Sequence, residues 1–422
     1  MASIISAIFY ILVFLSVYGQ VFYFVTFLEN RKKIFVRKDG ETKLKYYPTI
    51  TITIPVWNEE RTLERTVNSL INSNYPKDKL KILIVDDGSI DNTWEVMSGF
   101  KDLPNIEIFH KENGGKYTAV NLGLEKSNSE FFGCLDADSF ADKDSLVRIM
   151  SYFENDPELM AVAPSVVVEN PKNFIQNAQK AEYHMGVYAK KMLGFLGAIN
   201  VTPGPLTIFR RKVFDDLGPY ASGHGTEDME IAFRLQKNRY KIDHCNDAFV
   251  FTNTPVSFKK LFGQRLRWIY GFINNTLDYR GVLFRKKYGH FATFTLPLAI
   301  ISVISAIFLL VKMIYNIIVF LYSKFIQFNL VGFNLKIENF VPDPFFISVK
   351  SFTFLVILIY IMIIFAMLFG RKMSKEKNIF SFKILYFFPV FAIILPLGVI
   401  RGVYNTIISK KPAWRQGINS NY

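Results

Sequence analysis

Four long apolar runs bracket one stretch of ordinary soluble composition, and this arrangement constrains the chain more than any other feature. Residues 5–29 read ISAIFYILVFLSVYGQVFYFVTFLE, enough to cross roughly 30 Å of hydrocarbon as a helix. Further runs cover 291–322, 351–369 and 384–403. The last holds Pro389 and Pro396, which membrane helices tolerate but which kink them. The first run lacks the basic start and small-residue cleavage site of a signal peptide. The chain thus divides into an N-terminal transmembrane helix (1–30), a soluble domain (47–255), interfacial amphipathic helices (256–290), a region with about three membrane segments (291–407) and a C-terminal tail (408–422). Residues 323–350, with Pro342 and Pro344, read as an exterior loop or a helix on the membrane surface.

Charge placement orients these segments. The net charge is +14, and basic residues follow the apolar runs: Arg31, Lys32 and Lys33; Arg371, Lys372, Lys375 and Lys377; Lys410, Lys411 and Arg415. Flanking basic clusters mark the cytoplasmic side. The N-terminus then faces outward, and the soluble domain lies in the cytoplasm of a multi-pass cell-membrane protein contacting membrane lipids. A nucleic-acid protein would carry its basic face within the folded domain, so nucleic acid is excluded as a partner. A parity conflict remains. Four crossings would return the C-terminus to the outside, yet both flanks of the fourth run are basic. That run is re-entrant, or another segment is not a simple span. Cys134 and Cys245 lack zinc-ligand spacing and read as buried thiols.

The soluble domain alternates strand and helix patterns. Thr49–Ile54 is β-branched throughout and predicts a strand ending at Pro55. Residues 58–72 carry helical periodicity, 81–85 are a nearly continuous apolar strand, and 91–100 predict a helix. A strand at 106–109, a helix at 117–125 and a strand at 131–135 follow. The alternation predicts an α/β fold with a mostly parallel, doubly wound sheet. Ligands of such sheets bind beyond the C-terminal strand ends, where Asp86, Asp87, Asp136 and Asp138 lie. Neither GxGxxG nor GxxxxGK[ST] is present, which excludes the usual dinucleotide oxidoreductases and P-loop enzymes.

Four polar motifs carry chemistry. Asp136-Ala137-Asp138 offers two hard carboxylates that suit Mg²⁺ or Mn²⁺ bridging to a diphosphate, or else caps a helix. Asp86-Asp87-Gly88 reaches a nucleotide or simply makes a turn, and Lys116 stands after two glycines where an ammonium approaches a phosphate or solvent. Thr226-Glu227-Asp228 opens a helix and provides a base for an acceptor hydroxyl or an ordinary N-cap. Gln264 and Trp268 share a helix face, with Arg267 beside them, for a sugar ring and phosphate or for membrane anchoring. The loop Asn200–Pro205 is a candidate for sugar contacts. His110, His184, His224 and His244 read as structural or surface residues, with His224 a candidate for the acceptor site.

In this order, the motifs resemble the membrane-integrated family 2 glycosyltransferases, the cellulose, chitin and hyaluronan synthases and their relatives. The resemblance is close over 50–280 and loose over the apolar runs. It implies a GT-A-like catalytic domain attached to helical membrane segments. It also implies inverting, metal-dependent transfer of a hexosyl group from a nucleotide sugar, UDP-linked by expectation. The acceptor is a growing polysaccharide, or alternatively a lipid-linked or glycolipid acceptor taking one or a few sugars. By resemblance Asp228 is the catalytic base. Pro55, Asn58, Glu59, Asp87, Lys116, Asp136, Glu227, Gln264, Arg267 and Trp268 contact substrates, and Asp136 with Asp138 holds the metal. Lys411-Pro412-x-Trp414 is similar to the cytoplasmic tail of many relatives, which sharpens the parity conflict.

Overall fold

The computed structural model describes residues 2–35, 43–331 and 351–412. Helix α1 (Ala2–Phe35) is followed by β1 (Ile50–Val56), α2 (Leu63–Ile71), β2 (Leu80–Asp86), α3 (Thr93–Ser98), β3 (Ile106–His110), α4 (Lys116–Glu125) and β4 (Phe131–Cys134). Then come β5 (Ser139–Ala141), α5 (Ser145–Asn155), β6 (Leu159–Val168), α6 (Phe174–Phe195), β7 (Ile208–Arg210), α7 (Lys212–Leu217), α8 (Glu227–Lys237) and β8 (Lys241–Thr252). Helices α9 (Phe258–Asp278), α10 (Leu296–Val331), α11 (Ser351–Met373) and α12 (Phe387–Ile407) complete the chain.

The strands form one sheet in the order β3-β2-β1-β4-β7-β6-β8-β5. The β3-β2-β1-β4 part is parallel, as is β6 with β8. The short β7 and β5 run antiparallel to their neighbours. The sheet is therefore mostly parallel, and its short antiparallel members lie in segments where no strand was expected. Alternation along β1 explains the layers. Ile50, Ile52 and Ile54 join Leu63, Val67 and Leu70 of α2 in one core. The opposite face packs Phe132 and Phe209 with Val120 and Leu124 of α4 and with Phe233 of α8. Thr53 accepts Leu135 N–H on the β4 side of β1, so the imide nitrogen of Pro55 faces that same side, past the last β1–β4 pair at Thr53–Cys134. An interior strand can hold proline only at such an end. Both cysteines are buried thiols.

One expected helix begins later than its periodicity suggests. Asn58 takes φ 54°, its amide donates to Ser89 Oγ at 2.9 Å, and its Oδ1 accepts Ile90 N–H at 2.9 Å. This turn delays α2 to Leu63.

Four helical segments among the described residues are long and apolar enough to cross a membrane: Ala7–Ile34, Phe291–Leu330, Thr353–Met373 and Phe382–Ile407. The second runs past Tyr322, so 323–331 continue α10, while Pro342, Pro344 and Trp414 lie outside the described residues. Helix α6 joins the sheet domain to the apolar helices. Its Val187, Tyr188 and Met192 pack with Phe27 and Ile34 of α1 and with Ala366 and Met373 of α11. Just beyond α11, Glu376 pairs with Lys180 of α6 at 2.7 Å and lies 3.5 Å from His184. These contacts, His184 first, hold the Glu376 carboxyl down at about 2, while burial lowers His184. Helix α12 follows α9 along its length. Leu261 packs with Val390, Phe391 and Ile394; Ile269 seats at Gly398 and Gly402; Asn274 donates to Thr406 Oγ1 at 3.0 Å.

Candidate active site

Strand ends and helix starts build the site. At the end of β2, Asp86 and Asp87 are both buried. Asp86 accepts the Ser89 amide at 3.0 Å and meets His110 Nδ1 at 2.7 Å, which fixes the turn. Asp87 accepts the Gly114 and Gly115 amides at 3.0 and 2.9 Å and pairs with Lys111 at 2.6 Å. Asp87 therefore sets the loop that delivers Lys116. Gly115, at φ 90°, occupies a backbone region that side-chain-bearing residues avoid.

Lys116 opens α4 and reaches across the strand ends. Its Nζ lies 2.6 Å from Asp136 Oδ1 and 3.1 Å from Glu227 Oε1. Burial alone would lower this ammonium, but Asp136 and Glu227 outweigh it and hold the pKa well above normal. The Asp136 contact is an ion pair, since Oδ1 is buried without an aligned hydrogen bond. Asp138, two residues on, accepts Ser139 Oγ at 3.2 Å. Two carboxylates of this kind fit a hard divalent cation. Among the described residues no group of three or more His, Cys, Asp or Glu side chains could hold a metal, so further ligands would come from a bound anion.

Glu227 and Asp228 open α8 against the same cleft, which Lys116, Cys134, Thr202, Pro203, Gly204 and Tyr220 also line. The 200–205 loop closes over the cation: a methyl group at Gly204 would lie 2.5 Å from Lys116 Nζ. Thr202 donates its amide and hydroxyl to the Asp228 carbonyl at 3.2 and 2.8 Å. Burial would raise Glu227, but Lys116, its own backbone amide and Arg267 hold it below its usual value. Asp228 is pushed up to about 6 by burial and by Glu227, against the pull of Lys116 and Arg267. Two adjacent carboxylates are thus driven apart, one charged and one close to neutrality in its titration.

Helix α9 holds the segment before α8. Asn275 Nδ2 donates to Gly223 O and Thr226 Oγ1, each at 3.0 Å, and Arg267 Nη1 donates to Gly225 O at 2.7 Å. Gly271 admits Thr226, whose Oγ1 would lie 2.2 Å from an added methyl group. His224 pairs with Asp278 of α9 at 2.7 Å.

The expected residues are therefore only partly gathered. Lys116, Asp136, Glu227 and Asp228 share one cleft, and Arg267 turns toward the Glu227–Asp228 segment. Gln264 and Trp268 are held instead through Arg265. Asn58 and Glu59 contact the 89–93 turn, where the Glu59 amide donates to Thr93 Oγ1 at 2.9 Å. Pro55 is enclosed within β1. Sequence reasoning passed over Lys111, Arg265, Gly271 and Asn275. Lys111 directly follows a strand and Arg265 lies inside the motif, which were the available signals; Gly271 and Asn275 gave none.

The family described as glycosyl transferase family 2 matches residues 51–218. Among characterised proteins, the chain is 28% identical to a poly-beta-1,6-N-acetyl-D-glucosamine synthase of Staphylococcus aureus (strain COL), over 61% of this chain and 63% of that protein. The same-named protein of Staphylococcus epidermidis is 25% identical over 94% of this chain and 93% of its own length. A solved mannosyltransferase from Pyrobaculum calidifontis, in complex with GDP-Man and Mn²⁺, superposes with a TM-score of 0.59 at 16% identity, over 94% of this chain and 99% of its own. That likeness shows a GT-A-like fold attached to long apolar helices. Residues 51–218 thus form a family 2 glycosyltransferase domain, in a chain whose helices are long enough to span a membrane.

Proposed function

We propose that the chain transfers a hexosyl unit with inversion from a UDP-sugar to a growing polysaccharide, and that Asp228 is the base. The observation that carries this reading is Asp228 at the start of α8, raised to about 6 in the cleft lined by Lys116, whose ammonium pairs with Asp136. A carboxylate with a raised pKa is a stronger proton acceptor at neutral pH than an ordinary one. The acceptor oxygen attacks the anomeric carbon, its proton passes to Asp228, and the bond to the diphosphate oxygen breaks. Lys116 supplies a cation at the leaving diphosphate, and Asp87 holds its loop in place. Thr202 and Asn275 fix the backbone around the base. Mg²⁺ or Mn²⁺ held by Asp136 and Asp138 would neutralise charge on the departing diphosphate. The names of the staphylococcal relatives favour N-acetylglucosamine as the first donor to try.

EDTA is expected to reduce release of UDP from UDP-N-acetylglucosamine, or from whichever UDP-sugar the purified chain uses, to background. Added Mn²⁺ or Mg²⁺ restores it. Full release in EDTA removes the metal from the account.

The basic residues in the last turns of α1 and α11 support a cytoplasmic catalytic domain. The parity conflict is resolved if α12 does not cross. It lies along α9, a helix with Lys259, Lys260, Arg265 and Arg267, and basic residues flank it at both ends. Three crossings then leave the C-terminus in the cytoplasm. A C-terminal tag is expected to resist protease in right-side-out vesicles until they are permeabilised. Digestion in sealed vesicles would mean four crossings.

A further inference from the structure

We propose that Arg265 is a positioning residue for the acceptor end of the site, fixing Gln264 and leaving one face of the Trp268 indole for a sugar ring. This rests on the reading of 264–268 as the acceptor end of a glycosyltransferase. Arg265 is 2% exposed, and its guanidinium joins three helices. Its Nη1 donates to Gln264 Oε1 at 2.9 Å, and its Nη2 pairs with the Glu182 carboxylate of α6. The guanidinium carbon stands 4.1 Å from the Trp268 ring centre and 5.6 Å from that of Phe391 on α12. Nε is buried without a hydrogen-bond partner, so the plane is held by the two terminal nitrogens and by stacking.

The consequence for the indole is directional. A cation over one face blocks that face to a sugar and leaves the other for apolar contact with a ring. The same group orients the Gln264 amide, because an oxygen bound to Arg265 leaves the Gln264 NH₂ to donate elsewhere. Tyr183, one residue beyond Glu182, places this network near the metal-type carboxylates. Its hydroxyl, pushed up to about 12 by burial, feels Arg265, Glu182, Asp138 and Asp136. Burial also raises the Glu182 carboxyl, against the pull of Arg265. Lysine keeps the charge but has neither the plane nor the fork, so it cannot make the stack and both polar contacts together.

The test uses the detergent-purified full chain with Mn²⁺ and the UDP-sugar that the wild type turns over. Sugar transferred to acceptor and sugar released to water are measured separately. Arg265→Lys is expected to keep the wild-type nucleotide affinity and donor hydrolysis, while transfer falls on the order of 10- to 100-fold, the scale of a small misplacement of reacting groups. Glu182→Gln, which leaves the guanidinium intact, shifts the same ratio less. Wild-type transfer by Arg265→Lys overturns the proposal. A parallel loss of nucleotide binding, hydrolysis and transfer in both variants also overturns it, because that marks a purely structural role. Failure of the underlying reading is seen separately: the wild type itself then turns over no UDP-sugar, and the positioning role falls with it.

Discussion

Asp228→Asn is expected to bind nucleotide sugar with wild-type affinity and to lose transfer by about 10³-fold, the usual scale for removing a general base. The amide keeps the shape of the side chain but cannot take the acceptor proton. In the wild type, a base with a pKa near 6 makes kcat/KM fall as pH drops through 6 and stay level above it. The pH at the bend belongs to Asp228 and Glu227 together, since they titrate as neighbours. The stability sign is opposite to that of a salt-bridged carboxylate. A folded pKa above the ordinary carboxylate value means that ionisation of Asp228 costs stability as pH rises through that window to about 6. The asparagine protein is therefore expected to melt no lower than the wild type at pH 7.5. Isothermal titration, a pH–rate profile and a melting curve check the three parts. Near-normal turnover by Asp228→Asn removes this residue from the base role.

Gly370→Val is expected to have the largest structural effect. A methyl group at Gly370 would lie 1.8 Å from the His184 carbonyl oxygen and 2.4 Å from its carbon, both backbone atoms of α6. No rotamer change relieves such a clash, so α11 must move off α6. Overpacking commonly costs about 1–3 kcal/mol, and a backbone clash belongs at or above the upper end. The shift would also disturb the Glu376–Lys180 and Glu376–His184 contacts just beyond α11. Lower yield and a lower melting temperature in detergent are the measurements. A variant as stable as the wild type would show that α11 does not dock on α6 at this point.

The two predictions separate what was legible from what was not. The acids at strand ends were readable because a buried parallel strand is a continuous apolar run, and its polar stop marks the ligand edge. Asp86, Asp87, Asp136 and Asp138 stand there. The start of α2 was misjudged because Asn58 and the 89–90 turn hold each other across a long sequence gap, which periodicity does not register. Strands β5 and β7 are three residues each and carry no period. Gly271 and Gly370 matter through helix approaches, and a lone glycine in a helix gives no sign of its neighbour. The motif 264–268 was visible, but its division of labour was not. Arg267 turns to the Gly225 carbonyl, while Arg265 holds Gln264 and Trp268. A helix face groups residues by angle; only the packing of α6, α9 and α12 decides which partner each side chain finds.

The central claim is sugar transfer from a nucleotide sugar at the cleft of Lys116, Asp136 and Asp228. The most direct measurement supplies membranes containing the wild type or Asp228→Asn with radiolabelled UDP-sugars, UDP-N-acetylglucosamine first, in the presence of Mn²⁺. Label in a large glycan product and stoichiometric UDP release are expected with the wild type and not with the variant. Equal labelling by both proteins, or no transfer from any UDP-sugar by the wild type, would contradict the account.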